Sequence, residues 1–117
     1  MAMFQGTQAF TTVNETVDNL ISGKAIQNIP FDAEAYSLAI AAVGTEEGIT
    51  IQVYAGQRRL IESAMVSKVD AGVFPRIPEN LLIADEPVLP GEVLVISATN
   101  GAEASSSLNY RVDVNPI

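Results

Sequence analysis

Between residues 92 and 99 the chain places Leu94, Ile96 and Ala98 on one side of an extended strand and Val93, Val95 and Thr99 on the other. After Asn100-Gly101 and a small, polar run to Ser107, the residues Leu108, Tyr110, Val112 and Val114 alternate with Asn109, Arg111 and Asp113. A period of two marks strands with one face committed to a core. Pro90-Gly91 breaks the chain before the first run and Asn100-Gly101 turns it before the second. The reading is that residues 87–114 form one hairpin.

The same alternation recurs upstream. Ile49, Ile51, Val53 and Ala55 form a strict period-two run, and Gly56 joins them to Leu60, Glu62, Ala64 and Val66. This predicts a second hairpin, with Gly56 supplying the positive φ of a tight turn. In residues 35–43 the alanines favour a helix, while Tyr36, Leu38 and Ile40 sit at strand spacing. The turn-like Gly44-Thr45-Glu46-Glu47-Gly48 that follows favours the strand. Residues 17–29 are apolar at irregular spacing around Ser22-Gly23-Lys24. They read as two short strands about a turn or bulge at Gly23, with a short helix as the alternative.

Residues 69–90 are interrupted by Gly72, Pro75, Pro78, Pro87 and Pro90, so they read as loop with a short edge strand at Leu81-Leu82-Ile83. Residues 5–13 are polar and Thr-rich, with Phe4 and Phe10 as large apolar anchors. The expected organisation is an N-terminal arm or edge strand over residues 1–13, then a single domain over residues 14–117. That domain is an all-β, antiparallel β-sandwich of about seven or eight strands, jelly-roll or Ig-like. Its core is expected from Leu38, Ile40, Ile49, Ile51, Val53, Leu94, Ile96, Leu108, Tyr110 and Val112.

Composition then narrows the chemistry. The 117 residues contain neither cysteine nor histidine, which removes disulfides, thiolate or imidazole metal sites, and Ser-His-Asp catalysis. Fourteen acidic residues against six basic ones give a net charge of −8, which opposes nucleic-acid binding. Residues 1–10 carry no basic region followed by an apolar run, and the apolar stretch 38–43 is far shorter than the roughly 20 residues of a membrane helix. A soluble protein made in a cytoplasm is expected.

Asp85-Glu86 and Asp32 with Glu34 are the carboxylate pairs available for acid–base work, but a chain this small offers little wall for a sugar cleft. The same oxygens could bind calcium, yet their spacing matches no loop motif. Gly44 and Gly48 bracket two glutamates, which would repel phosphate. No enzyme activity, metal or cofactor is expected. Tyr36, Tyr54, Phe74 and Tyr110 read as core or rim, so a carbohydrate- or ligand-binding module stands as the second reading.

Two strands carry more apolar residues than one core face requires: Ala39, Ala41 and Val43 oppose Leu38 and Ile40, and Val93 and Val95 oppose Leu94 and Ile96. Surplus of this kind is either apolar residues tolerated on an exposed strand or the mark of a subunit interface. Arg58, Arg59, Lys68 and Arg76 fall within one short span, which reads as an ordinary solvated hairpin tip or, more sharply, as a surface for docking onto an acidic partner. The candidate interface residues are therefore Phe4, Phe10, Arg58, Arg59, Arg76, Val93 and Val95.

With its polar arm at residues 4–13, the hairpin at Gly56-Gln57-Arg58-Arg59 and the run Pro-Gly-Glu-Val-Leu-Val-Ile, the chain resembles the capsid decoration (cement) proteins of tailed bacteriophages and small jelly-roll virion proteins. The resemblance implies a structural protein on the capsid surface. Such a protein binds the major capsid protein, often as a homotrimer, and clamps the junctions between capsomers.

Overall fold

The computed structural model, which describes residues 2–70, 72–76, 79–101 and 105–117, turns the period-two runs into two packed sheets. Nine strands are present among the described residues: β1 (Ala2–Phe10), β2 (Thr16–Val17), β3 (Tyr36–Gly44), β4 (Ile49–Ala55), β5 (Arg58–Met65), β6 (Ser67–Lys68), β7 (Leu81–Val88), β8 (Leu94–Asn100) and β9 (Ser106–Pro116). One sheet has the order β1-β9-β3, with β7 and the short β6 sharing the far side of β3; the other has the order β2-β8-β4-β5.

Setting aside β6, every connection between successive strands crosses from one sheet to the other except β4 to β5. All neighbours among these eight strands are antiparallel. This is jelly-roll connectivity, which decides between the two sandwich topologies the sequence left open. The ten expected core residues are all buried, and Phe10, Ile21, Ile29, Val88 and Val114 join them.

Several expectations change. Residues 87–114 are not a hairpin, because β8 and β9 lie in opposite sheets and line the same core from two sides. Alternation fixes which face of a strand is buried but not which strand lies beside it. Residues 102–104 of the intervening turn lie outside the described residues. The β4–β5 hairpin is present, and Gly56 at its turn has φ +60°. Residues 36–44 are a strand, with no helical character. Residues 17–29 supply the end of the two-residue β2, a 3-10 turn at Ala25–Gln27 and a single antiparallel bridge from Asn28 to Val93, while Leu20, Ile21, Ile26 and Ile29 cap one open side of the core.

The edge strand expected at residues 81–83 runs on to Val88. It tolerates Pro87 because it lies on the outside of the sheet. Residue 78 of the proline-rich stretch lies outside the described residues.

The N-terminal stretch is an edge strand of the chain's own sheet. It pairs with β9 in unbroken register from Ala2↔Val114 to Phe10↔Ser106. Gly6 sits where Tyr110 crosses beneath the strand; a Cβ there would fall 2.7 Å from the Tyr110 hydroxyl. Backbone pairing supplies the order that a polar sequence could not gain by burying side chains.

The surplus on β3 is covered from within. Ala41 and Val43 are buried yet lie outside the core cluster, on the outer face in register with Arg111 and Asn109. The loop after β6 folds over them: Val69 N–H donates to the Gly44 carbonyl at 2.8 Å, Asn109 Nδ2 donates to the Val73 carbonyl at 2.7 Å, and Pro75 is buried. No second subunit is needed to explain that face.

Candidate interaction surface

One end of the jelly roll is assembled from residues 30–35, the β4–β5 turn, the turn before β8 and the C-terminal residues. Backbone hydrogen bonds tie these pieces together: Ile29 N–H to Glu92 O, Gly91 N–H to Ile29 O and Gly56 N–H to Val93 O at 2.9 Å each, and Ile117 N–H to Ala35 O at 3.0 Å. Exposed on this scaffold are Phe31 at 80 %, Ile117 at 78 %, Leu89 at 57 % and Val93 at 41 % of their accessible surface. The Phe31 ring lies against Gly91, whose missing side chain leaves the room for it.

Glu92 is the polar hub of this end. Its carboxylate accepts from Arg58 Nη2 at 2.7 Å and Nε at 3.2 Å, and from the Leu89 amide at 2.7 Å. The Arg58 hydrogen bonds, with a smaller contribution from Leu89, hold the Glu92 carboxyl below the usual carboxylate range against the opposing effect of burial. Arg58 also donates to the Pro87 carbonyl at 3.2 Å, which links the edge of one sheet to the edge of the other.

Of the sequence-predicted interface residues, Arg58, Arg59, Val93 and Val95 come together across β5, β4 and β8, whereas Phe4, Phe10 and Arg76 lie apart from them. Phe10 is a core residue, 1 % exposed, and cannot anchor a neighbour. Phe4 is half-buried; its ring is 5.9 Å from that of Tyr110 and the Lys24 ammonium sits 5.5 Å above it. Arg59 lies over the Tyr54 ring at 5.6 Å, donates to its hydroxyl at 3.1 Å and pairs with Glu62 at 3.4 Å. Val95 is half-buried on the outer face, opposite Tyr54. Of the seven, Val93 and Arg58 stand at the exposed apolar end, Arg58 engaged there by Glu92.

Arg76 lies at the opposite end of the sandwich. With Lys68, Asp70, Glu79 and Asn80 it lines an open pocket of about 520 Å³. The strands between the two ends, such as the seven-residue β4, separate them by about 20 Å at 3.3 Å per residue. The four clustered cations of the sequence are thus two separate pairs. Sequence proximity misled because β5 traverses the whole sandwich between Arg59 and Lys68.

Of the candidate acids, Asp85 accepts a hydrogen bond from Ser37 Oγ at 3.1 Å, and Asp32 and Glu34 are exposed. No group of three or more metal-ligating side chains converges among the described residues. Tyr36 and Tyr110 are buried and Arg59 covers Tyr54, so the three tyrosines form no exposed stacking platform.

Sequence reasoning missed Phe31, Leu89 and Glu92. Phe31 and Leu89 were legible as large apolar residues beside Pro30 and Pro90, in turns where no core face requires them. The role of Glu92 was not legible, since its partner Arg58 is 34 positions away. No protein-family model matches the chain, and no curated protein matches it either.

Proposed function

We propose that the protein is a non-enzymatic structural subunit of a virion. It is a capsid decoration or cement protein of a bacteriophage that sits on the assembled shell as a homo-oligomer and stabilises it through contacts with the major capsid protein. The observation that carries this reading is the apolar end. Phe31, Leu89, Val93 and Ile117 stand exposed at one end of a chain with net charge −8, and large apolar side chains gathered at a protein surface mark a site that meets another protein.

The jelly-roll connectivity adds support as an architecture of capsid domains, although lectins and cupins share it. Burial removes Tyr36 and Tyr110 from the rings that a sugar-binding module would stack on, and leaves Phe31 and Phe74 as exposed rings. The docking surface accordingly moves from the N-terminal strand and Arg76 to the apolar end, with Val93 kept and Arg58 and Arg59 beside it. Neither nucleic acid nor membrane has a part in this reading.

The test is attachment to capsids of the virus whose genome carries this chain, read by co-sedimentation and by occupancy in cryo-electron microscopy. The wild-type chain should fill a fixed set of sites. Phe31→Asp with Leu89→Asp should abolish filling while the β-type circular dichroism persists. A wild-type chain that does not bind the shell, or a double variant with full occupancy, would overturn the proposal.

A further inference from the structure

β1 is an edge strand with few of the usual protections: Lys24 approaches it at Phe4 and the 3-10 turn at Ala25–Gln27 lies near it, but no strand pairs with its free side among the described residues. Natural sheets block their edges with lysine, proline, bulges, brevity or covering chain, and every other edge here uses one of these. The outer side of β8 is covered by β2, by the Leu20 amide donating to the Ile96 carbonyl at 2.8 Å, and by the Asn19 side chain. β5 carries Arg58, Arg59 and Glu62 and two register shifts. β7 carries Pro87 and two register shifts, and β6 is two residues long. β1 runs for nine residues in continuous register, with no proline, no charge and no bulge.

Charge says what can approach this edge. At net charge −8 two copies of the chain repel each other, yet residues 2–14 contain no ionisable side chain. The edge is a neutral strip on an acidic molecule, and like-charged copies meet at least cost along such a strip. Apart from Lys24 beside Phe4, an acidic or basic partner would find no charge on the strand's own side chains to attract it. We infer that the free edge of β1 pairs with β1 of a second copy, antiparallel about a two-fold axis, so that the β1-β9-β3 sheets of two chains become one continuous sheet.

Centred on Gly6, the midpoint of β1, this pairing sets Phe4 opposite the partner chain's residue 8 on the core-facing side. On the outer side it sets Met3 opposite residue 9 and Gln5 opposite residue 7. Like faces then match like faces, the condition that sets register in a sheet with one buried side. The inference goes beyond the capsid reading and does not depend on it. It gives a dimer in place of the trimer that the family resemblance implies.

Sedimentation of the full chain tests it. The wild type should run at twice the 12.4 kDa chain mass. Met3→Lys with Ala9→Lys puts like charges opposite each other at two exposed outer positions and should halve the mass with the circular dichroism unchanged. Met3→Lys with Ala9→Glu puts opposite charges there and should restore the dimer. A wild-type monomer or trimer overturns the inference, as does a folded double-lysine variant that still dimerises or a lysine–glutamate variant that does not. If the double-lysine variant fails to fold, the wild-type mass and the concentration dependence of amide exchange in β1 decide. Exchange independent of concentration counts against the pairing.

Discussion

Arg58 grips Glu92 with two hydrogen bonds, 2.7 Å from Nη2 and 3.2 Å from Nε, and so spends at home the charge that made it a candidate for docking. The pair joins the start of β5 to the turn before β8, and the same guanidinium reaches the Pro87 carbonyl in the opposite sheet. Its side-chain exposures, 45 % for Arg58 and 16 % for Glu92, make it a half-screened pair. Bidentate geometry is the feature that raises it above an ordinary surface contact.

Arg58→Ala should therefore destabilise the fold by about 1 kcal/mol at neutral pH. The Glu92 carboxyl is lowered in the folded state. Its contribution is present above the ordinary glutamate pKa of about 4.3 and fades as pH falls through the lowered folded value. Urea unfolding at neutral and at acid pH checks this: the gap between wild type and Arg58→Ala should close on acidification. A gap that stays constant would mean that Arg58 acts through packing or through the Pro87 carbonyl alone.

Tyr110 carries a pH dependence of the opposite sense. Its hydroxyl donates to the Leu20 carbonyl at 2.9 Å, and burial pushes its pKa above the ordinary 10.0. A raised pKa gives stability that is fully present below the unfolded value and lost as pH rises through the folded one. Tyr110→Phe keeps the ring beneath Gly6 but leaves the Leu20 carbonyl without this donor, at a cost of about 1 to 2 kcal/mol near neutrality. Unfolding of wild type and variant across the alkaline range should show the wild type losing its advantage. A constant difference through that range would remove Tyr110 as the source.

The faces of the strands were legible in the sequence. Ile49, Ile51, Val53, Leu94, Ile96 and Leu108 are all fully buried, as their spacing requires. Partnership was not, because period two is a property of one strand and pairing is a property of the closed sandwich. β8 and β9 read equally well as a hairpin or as facing strands. β1 was underrated for a related reason: between Phe4 and Phe10 its core-facing residues are Gly6 and Gln8, and its order comes from nine residues of backbone pairing that side-chain composition does not record. The outer residues Ala41 and Val43 suggested a neighbouring subunit, but a proline-rich loop with no alternation of its own covers them.

Asn19 carries the last prediction. β2 ends at Val17 and the chain then leaves β8, yet the β8 edge stays paired. Asn19 Oδ1 accepts from the Ile96 amide at 3.1 Å and from the Ile21 amide at 3.2 Å, while Nδ2 donates to the Leu94 carbonyl at 3.2 Å. One side-chain amide thus stands in for a residue of backbone, with donor and acceptor both turned to the edge. Asn19→Ala would leave the Ile96 N–H and Leu94 C=O without these partners at a half-buried edge, at a cost of about 2 to 3 kcal/mol. Asn19→Asp keeps the acceptor but replaces the donor with a charge facing the Leu94 carbonyl, so it should be destabilised at neutral pH and recover partly when the carboxyl is protonated. Amide exchange at Ile96 separates this from a general loss of stability. In Asn19→Ala that amide should speed up more than those of β4, whose ladder partners are unchanged. Equal acceleration at Ile96 and across β4 would mean that the edge is held by β2 and the Leu20 amide, and that the side chain of Asn19 is dispensable.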